Sequence, residues 1–90
     1  MNPITAYRQG LMTESCPLYH TTRALASMYG EQRELNEAIN RAYTKMDPDG
    51  FIIPDYDYIG RLQDILERMR PIIEVLEAKL REEVKAWESL

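Results

Sequence analysis

Residues 58–87 read YIGRLQDILERMRPIIEVLEAKLREEVKAW, and this stretch decides the fold. Its apolar residues recur at steps of three and four, with one longer gap before the last: Ile59, Leu62, Leu66, Met69, Ile73, Leu76, Leu80 and Trp87. That spacing predicts one amphipathic α-helix. Ile65 and Ile72 widen its apolar side to three columns. We therefore expect this helix to pack against two neighbours.

Pro71 lies in the middle of this helix. Proline lacks a backbone N–H and costs about 3 kcal/mol in a helix interior. The apolar spacing nevertheless keeps its phase on both sides of Pro71. The pattern therefore predicts one continuous helix over residues 56–88, kinked at Pro71, with Asp55 as its N-cap.

A second apolar pattern covers residues 18–46 and has the a/d spacing of a coiled coil. Its members are Leu25, Met28, Gln32, Leu35, Ile39, Ala42 and Met46. We expect a helix here, starting after a cap at Ser15 or at Thr21. The turn sequence DPDG at residues 47–50 ends it. Because the connection is short, the two long helices should form an antiparallel hairpin.

The two patterns also predict a register for this hairpin. Met46 should face Ile59 at the turn, and Leu18 should lie beside Trp87 at the open end. Gln32 falls opposite the apolar stripe of the other helix. A polar residue within such a seam typically sets register or partner number rather than adding stability.

The N-terminal segment predicts a short third helix over residues 3–13. Asn2 is its expected N-cap, and Pro3 is in its first turn. A helix this short is marginal alone and must dock on the hairpin. The prediction is therefore a single all-α domain over residues 1–90, either as a three-helix unit or as a dimeric helical bundle.

The loop after the turn holds three apolar residues, Phe51, Ile52 and Ile53. We expect them to tuck under the helix ends. Part of the loop matches a calcium-binding EF-hand pattern, but Lys45 occupies the position of the first ligand and Tyr56 that of the bidentate glutamate. The pattern therefore predicts a helix-stopping turn and no metal site.

Composition excludes several classes of protein. The net charge of −4 resides in residues 47–57, and no basic patch indicates nucleic-acid binding. No apolar run is long enough to span a membrane, and no secretory signal is visible. A single cysteine, Cys16, excludes an intramolecular disulfide and suggests the cytoplasm.

Few residues in the sequence are candidates for a catalytic role. Cys16 and His20 are four apart, a spacing that can place a nucleophile beside its base or hold two metal ligands. No second cysteine or histidine exists to complete a metal site. We therefore predict no catalytic residue, cofactor or metal, and keep a small all-helical enzyme as the least favoured alternative.

The leading hypothesis is a non-enzymatic protein-binding module that acts through a helix face. It would be a regulator, inhibitor, chaperone or assembly factor with another protein as partner. The alternative is a structural subunit of an obligate homo-oligomer. Tyrosine and exposed apolar residues are typical of protein interfaces. The predicted protein-binding residues are Tyr19, Tyr29, Gln32, Ile65 and Ile72.

Overall fold

A computed structural model describes residues 2–90 and contains three helices, α1 (Pro3–Arg8), α2 (Tyr19–Tyr43) and α3 (Tyr56–Glu88). α2 and α3 pack against each other along their length, and α1 packs against α2. The molecule is elongated, with extents of 63 × 25 × 17 Å. The predicted all-α hairpin with a short N-terminal helix is confirmed.

Two groups of buried side chains hold the hairpin together. The first group lies toward the open end and contains Leu18, Leu25, Met69, Ile73 and Leu80. The second lies toward the turn and contains Ile39, Ala42, Ile59 and Leu62. Leu35 packs against both groups. This pairing agrees with the predicted register, and Leu18 and Trp87 line one cavity at the open end.

Both N-caps predicted from asparagine and aspartate are confirmed. The Oδ1 atom of Asn2 accepts a hydrogen bond from the Ile4 N–H at 2.8 Å. The Oδ1 atom of Asp55 accepts one from the Tyr58 N–H at 3.3 Å. α3 continues through Pro71 without a break, as the apolar spacing predicted. The kink at Pro71 stays a prediction.

α1 ends five residues earlier than predicted, at Arg8 instead of residue 13. Gly10 has a φ of +72°, a left-handed conformation that glycine adopts without steric cost. The Leu11 N–H donates to the Ala6 carbonyl at 2.9 Å, which closes a Schellman-type C-cap. This cap terminates the helix before residue 13, the end that the sequence pattern predicted.

The predicted N-cap of α2, Ser15 or Thr21, is wrong. Leu18 occupies the N-cap position and makes no side-chain cap hydrogen bond. Ser15 instead shares a hydrogen bond of 2.7 Å with the Thr13 hydroxyl, and Thr21 lies within the helix and is buried. The helix entry is therefore held by burial of Leu18 in the core rather than by a capping side chain.

The predicted end of α2 at residue 46 is also wrong, because the helix stops at Tyr43. Met46 forms an isolated antiparallel β-bridge with Ile52, so its backbone is already extended. Its side chain is exposed and does not meet Ile59 in the seam. The loop's own backbone pairing competes with the last helical turn and prevails there.

Two glycines offer a matched test of backbone conformation. We expect Gly10→Ala to lower the free energy of unfolding by about 1 kcal/mol, because alanine disfavours a positive φ. We expect Gly30→Ala, in the middle of α2, to raise it by about 1 kcal/mol. A Cβ at either position meets nothing within 4 Å, so packing contributes to neither change. Urea denaturation of both variants measures the difference, and changes of the same sign would contradict it.

Candidate functional site

The loop between α2 and α3 is ordered by hydrogen bonds around Asp47. Its Oδ1 atom accepts from the Asp49 N–H at 3.0 Å and from the Phe51 N–H at 2.8 Å. The Asp47 N–H donates to the Phe51 carbonyl at 2.8 Å, and the Ile53 N–H donates to the Lys45 carbonyl at 2.7 Å. These bonds satisfy much of the loop's backbone locally, so the loop does not need hydrogen-bond partners from the core.

This loop presents an exposed apolar surface, which we name the turn surface. It consists of Met46, Phe51, Ile52 and Ile53. Phe51 is 69% exposed, and the other three are all at least half exposed. The expectation that residues 51–53 tuck under the helix ends is wrong. The second buried group is filled by side chains of α2 and α3 alone, so no space there recruits them.

Four aspartates lie close in sequence to the turn surface. Asp47, Asp49, Asp55 and Asp57 all lie within or beside the loop. Only one basic group approaches them among residues 2–90, the Lys45 Nζ at 3.7 Å from an Asp55 oxygen. The turn surface is therefore an apolar patch within an acidic segment of the chain, and we name these four aspartates its acidic rim.

A second exposed apolar surface follows α3, and we name it the α3 flank. It consists of Tyr58, Ile65, Ile72 and Val75, with exposures from 42% at Tyr58 to 67% at Val75. The first three are spaced by seven residues and so share one side of the helix. The groove beside Tyr58 is lined by Ala38, Arg41 and Ala42 of α2. Ile65 and Ile72 form the third apolar column of α3, from which we expected a second packing neighbour. The structure leaves this column exposed.

The side of the hairpin opposite the α3 flank is covered by α1 near the open end and is polar nearer the turn. Near the open end, Ile4 of α1 packs against the first buried group. The cavity between α1 and the hairpin is lined in part by Tyr29, Glu77 and Val84. Nearer the turn, a groove on this side is lined mostly by polar side chains: Gln32, Asn36, Gln63, Asp64, Leu66, Glu67 and Arg70. The two sides of the hairpin therefore differ in apolar character.

The structure separates the five predicted binding residues into three places. Tyr19 packs its ring against Tyr7 of α1, with the centroids 5.8 Å apart. Tyr29 is half-buried beside α1, and Gln32 lines the polar groove. Ile65 and Ile72 lie together on the α3 flank. Only this last pair forms a continuous surface.

The phenol of Tyr29, which is half-buried beside α1, has a raised pKa. Burial raises the pKa of the Tyr29 phenol, and the nearby Glu77 carboxylate raises it further. Arg8 at the end of α1 partly offsets this increase in the pKa. The phenol is therefore neutral and contributes packing and a polar tip.

The candidate catalytic pair does not converge. Cys16 packs against the first buried group, whereas His20 is exposed and lies edge-on to the Tyr19 ring at 5.4 Å. No hydrogen bond joins the thiol to the imidazole in the described part of the chain. Within residues 2–90, no group of three or more His, Cys, Asp or Glu side chains is placed to hold a metal ion.

One polar contact crosses the core near the open end. The Thr21 hydroxyl donates to a Glu83 carboxylate oxygen at 2.7 Å and so links α2 to α3. Thr22 is fully buried, and its hydroxyl has no partner in the part of the chain that is described. These groups lie inside the packed hairpin and are not open to a ligand.

None of the helices described is both long enough and apolar enough to span a bilayer. No protein-family model, curated protein or solved structure matches the chain. Fold and surface therefore define its class: an all-α helical hairpin with a short docked N-terminal helix. Its distinguishing features are two separate exposed apolar surfaces, one at the turn and one along α3.

Proposed function

We propose that this chain is a small non-enzymatic protein-binding module of a reducing compartment such as the cytoplasm. It acts through protein–protein contacts as a regulator, inhibitor, chaperone or assembly factor. The observation that carries this proposal is the turn surface, which is apolar, exposed and carried by a hydrogen-bonded loop. Large exposed apolar patches on small proteins commonly mark interaction sites.

Preorganisation of the loop favours binding. A flexible loop loses conformational entropy when it docks, and this loss opposes association. The hydrogen bonds around Asp47 already order the segment that carries Phe51 and Ile53. An aromatic side chain on such a hydrogen-bonded segment, flanked by aliphatic ones, resembles the anchors that dominate interface energetics.

The size of the turn surface limits its affinity. Full burial of each large apolar side chain contributes about 1.5–3 kcal/mol, and these side chains already bury part of their area. Four of them therefore supply about 5 kcal/mol before the cost of association. Micromolar binding requires about 8 kcal/mol net, so the carboxylates of the acidic rim must contribute or the complex is weak.

The acidic rim indicates the chemistry of the partner. A complementary surface would present an apolar cleft edged by lysine or arginine. Such a contact weakens as ionic strength rises, because exposed charges are screened over about 8 Å at physiological salt. The partner proposed for the turn surface is thus a protein with a basic-edged apolar cleft.

A substitution in the loop tests this proposal. We expect Phe51→Ser to lower the affinity for the partner at least tenfold, since it removes the largest anchor of the turn surface. The partner is first recovered by affinity purification and mass spectrometry, then titrated against both chains by calorimetry. Leu11→Ser, at a similarly exposed apolar site at the other end of the molecule, serves as control and should bind normally. Equal affinity of Phe51→Ser and the unmodified chain would overturn the proposal.

The alternative function, a subunit of a homo-oligomer, is favoured by a different observation. The α3 flank leaves Ile65 and Ile72 about half exposed on a long helix. The sequence predicted a helix-face contact at Ile65 and Ile72 with another protein, and the alternative function assigns this contact to a second copy of the chain. It is compatible with a partner at the turn surface, because the two surfaces occupy different parts of the hairpin.

A further inference from the structure

We propose that the α3 flank docks onto a second copy of this chain, with the two hairpins antiparallel and their turns at opposite ends. A two-fold axis would cross α3 midway between Ile65 and Ile72. This inference goes beyond the proposed partner at the turn surface and does not depend on it. It rests on the arrangement of apolar and charged residues about that one point.

The register of the hairpin places this point on α2 as well. Leu25 and Leu80 belong to one buried group, and Ala42 and Leu62 to the other. Because the two helices run antiparallel, each residue of α3 lies level with one residue of α2, and these two pairs fix which. Between them, the midpoint of Ile65 and Ile72 on α3 lies level with Asn36 on α2. A two-fold axis through the α3 midpoint therefore also relates the two copies of α2 about Asn36.

The apolar part of the face is self-complementary about this axis. Ile65 of one chain comes opposite Ile72 of the second copy, and the reciprocal contact forms by symmetry. Tyr58 extends the same column toward the turn and comes level with the exposed Lys79 of the second copy, so the apolar self-complementarity is confined to Ile65 and Ile72. Tyr58, Ile65 and Ile72 are each 42–53% exposed, so the contact removes apolar area from water that the single chain leaves exposed.

The charges on α2 are self-complementary about the same axis. Glu31 and Arg41 stand five residues on either side of Asn36, so Glu31 of one chain comes opposite Arg41 of the second copy. Arg41 and Ala38 line the groove beside Tyr58, and Glu31 precedes Ala38 by seven residues on the same side of α2. Among residues 2–90, neither Glu31 nor Arg41 forms an ion pair within its own chain.

Two charged residues oppose this arrangement, Arg68 on α3 and Glu34 on α2. Glu34 precedes Arg41 by seven residues and so shares its side of the helix, and it lies two residues from Asn36. Arg68 lies beside the axis on α3 and approaches Arg68 of the second copy. Its side chain is long and exposed, so the guanidinium can extend into water while its stem covers apolar surface. Arg68 limits the affinity of the pair without blocking it. A parallel pair, with turns at one end, would instead place Ile72 level with Gln32 and beside Glu31 and Glu34.

The antiparallel dimer would carry two turn surfaces, one from each chain. The two loops would lie at opposite ends of the dimer, about 45 Å apart at 1.5 Å per helical residue. A partner with two suitably spaced clefts would be bound with greater avidity than one with a single cleft.

Charge exchange tests the interface without altering the core. Sedimentation equilibrium of the full chain at about 100 μM should detect the dimer. We expect Glu31→Arg to raise its dissociation constant at least tenfold, since each copy then places arginine opposite Arg41. The double variant Glu31→Arg, Arg41→Glu restores the opposite charges and should recover the original constant. Glu74→Arg is the control and should change nothing, because Glu74 lies seven residues from Glu67 and so on the polar side of α3.

Cross-linking tests the orientation. In a Cys16→Ala background, Arg68→Cys should be joined to its own copy by a short thiol-reactive cross-linker. Gln63→Cys, on the polar side of α3, is the matched control and should stay uncoupled. A chain that remains monomeric at about 100 μM would overturn the inference. So would a dimer indifferent to Glu31→Arg, or one in which the Arg68→Cys variant fails to couple.

Discussion

Leu25→Ala is expected to lower the free energy of unfolding by about 3 kcal/mol, the largest loss of stability from a single truncation in this chain. Leu25 is 2% exposed and packs in the first buried group with residues from both long helices. Its truncation removes apolar contacts and leaves a cavity that two long helices fill poorly, because their backbones resist collapse.

Thermal and urea unfolding measure this loss. For a domain of this size, 3 kcal/mol corresponds to a decrease in Tm of about 15 °C. Leu11→Ala provides the matched control, because Leu11 is 61% exposed and its truncation should change stability by about 0.5 kcal/mol or less. A similar Tm for both variants would mean that Leu25 does not lie in the core that holds the hairpin together.

Pro71→Ala is expected to raise the free energy of unfolding by about 2 kcal/mol. Pro71 lies in the interior of α3, where it cannot donate a hydrogen bond to the Glu67 carbonyl. Alanine restores that donor and removes the ring that crowds the preceding turn. The gain is smaller than the full propensity difference of about 3 kcal/mol, because the helix has already accommodated the ring.

Urea denaturation at fixed chain concentration measures this gain, since self-association would otherwise shift apparent stability. Pro71 is exposed, so the substitution leaves the core unchanged. Glu74→Ala, also exposed and three residues along α3, should alter stability by about 0.5 kcal/mol or less. A Pro71→Ala variant that is no more stable than the unmodified chain would show that proline is fully accommodated in this helix.

Local patterns predicted the long helices well. The spacing from Ile59 to Leu80 requires no knowledge of the rest of the chain, because helical periodicity is a property of neighbouring residues. Asn2 and Asp55 were identifiable as caps for the same reason, since a cap acts within three residues. The hairpin register followed from two matched stripes and a short connection.

Errors arose where two local structures compete. At Gly10, the helical pattern continued to residue 13, yet a Schellman-type cap ended the helix first. At Met46, the heptad spacing favoured helix, but a bridge to Ile52 and the hydrogen bonds of Asp47 favoured an extended loop. Periodicity alone does not rank these alternatives.

The candidate surfaces were predicted less well. Ile65 and Ile72 could be identified from sequence as a column wider than one partner helix covers. The turn surface could not, because an apolar run such as residues 51–53 is ordinarily assigned to the interior. The signal available was its position between Gly50 and Pro54 in an acidic loop, which favours a turn held away from the core.

The sequence alone determined the two long helices, the N-caps of α1 and α3 and the pairing of α2 with α3, because helical repeats and caps involve residues close along the chain. The tertiary structure alone decided which apolar side chains remain uncovered. Exposure of Phe51 and Ile72 depends on what other elements lie across from them in space. α1 docks on the other side of the hairpin, so the α3 flank and the turn surface face solvent in the single chain.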